Sequence, residues 1–167
     1  MPIASDHAPH FVGVRVYDGV YKEELAELPT RAGGWLLGVP FAYLIDVLDT
    51  DSKRTVFRIY YQDADADPPA GLPPVLSDGR PVDLAILCTA AFSQIDHHPE
   101  AIIVATRPRF VIATHWEDFF RPQTESLAAV PGTDLWEFLR RLGNVMPSDS
   151  EHWMPAPGTL FHFPIEE

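Results

Sequence analysis

Three segments of this 167-residue chain set imidazole or carboxylate side chains directly beside an apolar run. His7-Ala-Pro-His10 comes just before residues 11–17. Gln62-Asp63-Ala-Asp65-Ala-Asp67 follows residues 54–61, and His115-Trp116-Glu117-Asp118 follows residues 110–114. Imidazole nitrogen and carboxylate oxygen are the donors that zinc, iron and manganese accept. A carboxylate between two histidine-bearing segments also suits a bridge across two metals. Plainer roles compete with each. A histidine after a strand is more often structural than ligating, and an alternating acidic run can be a solvated loop. The Asp-x-Asp-x-Asp run lacks the glycine and closing glutamate of a calcium loop. His97 and His98 directly precede Pro99 and mark a helix entrance.

The elements that must position these groups are short. Residues 11–17, with Phe11, Val12, Val14 and Val16, suggest a strand, and residues 22–28 a turn or two of helix. Residues 41–48 and 54–61 are expected to form a hairpin about Asp49-Thr-Asp-Ser-Lys53, whose Asp and Ser side chains can bond their own backbone. Residues 62–81 are polar and proline-rich and predict a long loop, a common place for function in a compact domain. A strand at 82–88, a helix at 99–107 opened by Pro99, and a buried strand at 110–114 follow. Residues 133–142 predict an amphipathic helix capped by Thr133, with Leu135, Phe138, Leu139 and Leu142 on one face. Residues 159–163 suggest a closing strand. Strand–helix–strand–helix order is the grammar of an α/β sheet.

Composition narrows the function classes. Hydrophobic residues make up 46% of the chain and charged residues 22%, enough to bury a core. Twelve Lys and Arg against 24 Asp and Glu leave a net charge of −12, which repels phosphate backbones and argues against nucleic-acid binding. No basic cluster points to a membrane surface and no apolar run approaches a spanning length. The N-terminal residues lack the basic and apolar stretches of a signal peptide, and one cysteine, Cys88, allows no internal disulfide. A cytoplasmic location is expected.

The succession of a His segment, two strands ending in an aspartate, Val82-Asp-Leu-Ala-Ile-Leu-Cys88, and then Arg107-Pro-Arg-Phe-Val-Ile-Ala-Thr-His115-Trp116 resembles the metallo-β-lactamase superfamily. The likeness is greatest to its lactonase-like metallo-hydrolases and covers residues 7–163 or so. It implies a single partial domain over residues 1–167, the C-terminal half of an αββα sandwich. It further implies a metal-dependent hydrolase in which metal-activated water attacks an ester, lactone or amide of a small molecule. His7, Asp63 and His115 match the metal ligands, with His10 and Asp65 as register alternatives. Asp83 and Trp116 are implied to stand behind the site, where a ligating imidazole needs a partner on its other nitrogen. Zinc is the implied metal, with manganese or iron as alternatives.

The superfamily's main metal motif, His-x-His-x-Asp-His, occurs nowhere in these 167 residues. The site is therefore expected to be weak or incomplete in this chain, as in a split or truncated protein, and no catalytic base is assigned. A complementing polypeptide or self-association would supply what is missing. The alternative is a non-catalytic half-domain acting as a binding or partner-complementing subunit. A half-sandwich would expose apolar surface, for which Trp35, Leu36, Leu37, Val39 and Phe41 are candidates.

Overall fold

The computed structural model describes residues 1–9, 13–122 and 124–165. Six strands form one mixed sheet in sequence order: β1 (Pro2–Ala4), β2 (Phe41–Leu48), β3 (Thr55–Gln62), β4 (Leu84–Cys88), β5 (Phe110–Thr114) and β6 (Glu151–Trp153). β1, β2 and β3 pair antiparallel, whereas β3 to β6 run parallel. Helix α1 (Glu100–Thr106) carries the crossover from β4 to β5, and α2 (Leu135–Val145) that from β5 to β6. A parallel connection must return the chain to the same end of the sheet, and α1 and α2 make two of the three such returns.

β2 and β3 form the expected hairpin, turned by Asp49, whose Oδ1 accepts from Ser52 N at 2.6 Å. Val47 and Leu48 flank an irregularity in their register. The chain from 63 to 83 connects β3 to the parallel β4 without any helix or strand. α2 starts two residues later than its pattern suggests. Asp134 is its cap, accepting from Glu137 N at 3.0 Å, while Thr133 Oγ1 instead donates to Ala90 O at 3.1 Å.

Two expected elements do not form, and a third lies partly outside the described residues. Residues 22–28 hold only bends, because no neighbouring surface covers an apolar face there and Leu25 and Leu28 stay exposed. Residues 159–163 run as an irregular tail, and the closing strand is β6. Of the strand expected at 11–17, Phe11 and Val12 lie outside the described residues, and 13–17 contains only an isolated bridge residue.

Period-two alternation sorts the sheet into two faces. Ala42, Leu44, Tyr60, Ala85, Leu87, Val111 and Ala113 point to one face and pack under Ile102 and Ile103 of α1 and Phe138 and Leu142 of α2. On the other face Phe57, Leu84, Phe110 and Ile112 form a smaller cluster closed by Trp153, Phe161 and Phe163 from the C-terminal tail. That cover stops short of β2. Phe41, Tyr43, Ile45 and Val47 alternate along it with 38–45% of their surface exposed. Among the described residues no helix is long and apolar enough to cross a membrane.

Candidate functional site

Because β3, β4 and β5 are parallel and in register, Gln62 pairs with Leu87 and Cys88 with Thr114, so the three strands end side by side. The carboxyl edge of parallel strands is where α/β sheets assemble sites from separate loops. Here the loop after β3 brings Asp63 and Asp65, the end of β4 brings Cys88, and the residue after β5 is His115.

His115 leaves its strand in the left-handed region, at φ 55°, unusual for a residue with a Cβ. Its Nδ1 lies 3.4 Å from the Asp63 carbonyl oxygen, 3.9 Å from Asp63 Oδ1 and 3.4 Å from Cys88 Sγ. The ring of Phe119 leans on the imidazole at 5.0 Å. Cys88 is buried, and that burial, reinforced by the charge of Asp65, pushes its thiol well above the ordinary range. A thiol held protonated is a poor nucleophile.

Behind this group lies a node that the sequence reading did not single out as a pair. Asp65 and His98 are both buried, with His98 Nε2 2.8 Å from Asp65 Oδ1. The Nε2–H is aimed at the Cys88 carbonyl oxygen, 3.0 Å away, so the approach to Oδ1 is electrostatic and not an aligned hydrogen bond. Asp65 Oδ2 accepts from Ala91 N at 2.9 Å. Burial opposes ionisation of both groups, but their mutual attraction outweighs it: the carboxyl is held below its ordinary range and the imidazole above. The pair thus ties the loop after β3 to the loop after β4. The sequence signal was faint, being only the alternation of Asp63 with Asp65 and a histidine before proline.

The other expected site residues are distributed as follows. His7 sits on a segment that joins the same loop, since Ala8 N donates to Asp65 O at 2.7 Å and Gln62 Nε2 to Ser5 Oγ at 3.2 Å. The His7 ring turns back on its own chain, Nδ1 lying 2.6 Å from Ala8 O. His10 lies outside the described residues. Asp83 is at the other end of the strand from Cys88. There Oδ2 accepts from Arg58 N at 2.7 Å and Arg80 Nη2 at 3.0 Å, beside the buried Arg58, which is also paired with Asp46 and Asp78. Asp83 thus lies on the amino edge of the sheet, where it joins Arg58 and Arg80. Trp116 donates from Nε1 to Pro155 O at 2.9 Å and lines the cavity beside His115, whose ring is touched by Phe119.

Two ligands of one tetrahedral zinc stand roughly 3.4 Å apart, given bond lengths of about 2.1 Å. The 3.9 Å between His115 Nδ1 and Asp63 Oδ1 is near that spacing. Among the described residues, however, no three His, Cys, Asp or Glu side chains are disposed to hold a metal ion. The donor set fits two positions of a metal shell and does not complete one.

A cavity of about 290 Å³ opens beside His115, lined also by Thr114, Trp116 and Phe161. A larger one of about 550 Å³ adjoins it and shares Glu117, Pro157 and Gly158 as common wall. The aperture between the loop after β5 and the C-terminal tail is thus the natural approach to the imidazole. In comparison with known proteins, no family model, no curated protein and no solved structure matches the chain.

Proposed function

We propose that this chain is the partner-dependent half of a metal-dependent hydrolase of the metallo-β-lactamase kind, acting on an ester, lactone or amide of a small molecule. The observation that carries the reading is the meeting of Asp63 and His115, from separate loops, at 3.9 Å on the carboxyl edge of the parallel strands. His7 stands on the third contributing segment, joined to that edge through Ala8 and Asp65. In this reading the remaining ligands come from a further stretch of polypeptide carrying His-x-His-x-Asp-His, which the present sequence does not contain. The metal is zinc, or manganese or iron in its place, and the described residues alone hold it weakly.

The exposed strip along β2 favours a second reading, in which the chain serves as a partner-complementing subunit without chemistry of its own. The two part in a hydrolysis screen with added zinc, run on the chain alone and mixed with a polypeptide bearing the missing motif. Turnover only in the mixture, abolished by His115→Ala, is the expected result. Turnover by the chain alone would overturn the incompleteness of the site. A stable complex without turnover would leave the subunit reading standing. Zinc bound near one equivalent by the isolated chain would likewise contradict a half-formed shell.

A further inference from the structure

We infer that the cavity between residues 117–122 and 125–128 and the Pro157–Gly158 turn is a binding site for a small organic cation, an amine or amidine borne on an apolar or aromatic group. Its volume of about 550 Å³ lies within the range of small-molecule sites, roughly 300–1,000 Å³. Phe119, Pro122, Leu127 and Pro157 give it apolar walls. Its polar lining is unequal in sign. Arg121 is the cation of the lining, and it is spent on Glu125, with Nη2 and Nε at 2.9 and 3.2 Å from the same carboxylate oxygen. Glu117 and Asp118 then remain without an ion-pair partner among the described residues.

The two carboxylates are not equivalent. Asp118 Oδ1 already accepts from Phe120 N at 3.1 Å, closing a local turn. Glu117 has no such duty and lines both this cavity and the smaller one that reaches His115. Its backbone is held by the bridge to Ala129, with Asp118 N donating to Ala128 O at 2.8 Å and Val130 N to Trp116 O at 2.9 Å. The carboxylate is therefore carried on an ordered ribbon at the junction of the two spaces.

Phe119 adds a second attraction. The residue is 55% exposed, and its ring packs against those of His115 at 5.0 Å and Phe120 at 4.5 Å between centroids. An exposed aromatic ring beside an unpaired carboxylate attracts a cation through ring quadrupole and charge together. The same field, within a chain of net charge −12, disfavours an anion.

The inference does not depend on metal chemistry, so its test is binding without metal. Benzamidine, benzamide and benzoate have nearly one shape and differ in charge, and each is titrated into the full chain by amide-resolved NMR. Benzamidine is expected to bind at least about 5-fold more tightly than benzamide, with shifts centred on residues 117–119 and 127–128, and benzoate not at all. Glu117→Gln should erase the preference for benzamidine while leaving the weak binding of benzamide in place. Phe119→Leu should weaken benzamidine about 2- to 5-fold, the size expected for losing a cation–π contact at a partly exposed site. Glu137→Gln, on the outer side of α2, should change nothing. Equal affinity for the cation and its neutral analogue, a preference that survives Glu117→Gln, shifts elsewhere on the protein, or no binding of benzamidine would each overturn the site. None of these results bears on whether His115 and Asp63 take part in hydrolysis.

Discussion

Asp65 and His98 are two ionisable groups with almost no access to water, and they persist because each offsets the other's desolvation. Removing one partner strands the other. Asp65→Ala is expected to lower the unfolding free energy by about 3–5 kcal/mol, as breaking buried pairs does. Asp65→Ala with His98→Leu should cost much less than the sum of the single changes, because no charge is then left buried. The pair also sets a pH dependence. The imidazole is raised above its free value of about 6.5, so its contribution is complete below that pH and is lost as pH rises through the folded value. The carboxyl is lowered beneath about 3.9, so its contribution is complete above that pH and is lost as pH falls through the folded value. The pair thus contributes most between about pH 4 and 6.5. Urea unfolding from pH 4 to 8 should show stability declining above 6.5 in the parent chain. In Asp65→Ala that decline should disappear, and stability should instead rise with pH up to about 6.5, since a lone buried histidine resists protonation.

The loop from β3 to β4 holds its shape without helix or strand, and one residue shows how. Gly71 has φ +77°, and a Cβ there would come within 2.8 Å of Ser5 Oγ and closer still to the Gln62 amide. Its carbonyl accepts from the buried Tyr60 hydroxyl at 2.7 Å, and its N–H donates to Ala4 O at 2.9 Å. Gly71 is where β1, β3 and the Asp63–Asp65 loop meet. Gly71→Ala combines backbone strain with a clash in close packing, and a loss of about 1–3 kcal/mol is expected from thermal or urea unfolding. Gly79 also has positive φ, at 63°, but a Cβ there would meet nothing within 4 Å, so Gly79→Ala serves as a control for the backbone effect alone. A smaller loss at Gly79 than at Gly71 would support close approach as the reason for the glycine; equal losses would not.

At the scale of the molecule, the sheet is covered by both helices on one face and by the C-terminal aromatic tail over only part of the other. Phe41, Tyr43, Ile45 and Val47 continue the uncovered part to the β2 side. Exposed apolar patches of this kind mark interaction surfaces. The strip lies one element along from the expected centre. Trp35 and Val39 are exposed, but the preceding segment adopts a 3-10 turn and bends, and the flat surface belongs to β2. The chain is expected to bind an apolar dye and to self-associate at raised concentration. Ile45→Lys should reduce both while changing stability by no more than roughly 0.5 kcal/mol, as is usual for exposed positions. Sedimentation and dye fluorescence on the two proteins check this, and a parent chain that stays monomeric and dark would contradict it.

Local chemistry determined much of this protein. The alternation of β2 and β3, the Asp49 turn, the helix opened near Pro99 and the apolar stripe of α2 all depend on neighbours in sequence, and each formed within three residues of its expected bounds. Asp63 and His115 were legible because a polar residue following a buried strand must emerge at its end. Only the tertiary structure decided which end. Parallel pairing put Asp63, Cys88 and His115 on one edge and sent Asp83 to the other, a choice made by strand direction and invisible in any single segment. It also decided which aspartate faces water, since Asp65 is buried on His98 while Asp63 stays exposed. Partners such as these lie tens of residues apart in the chain, and no local periodicity encodes their meeting.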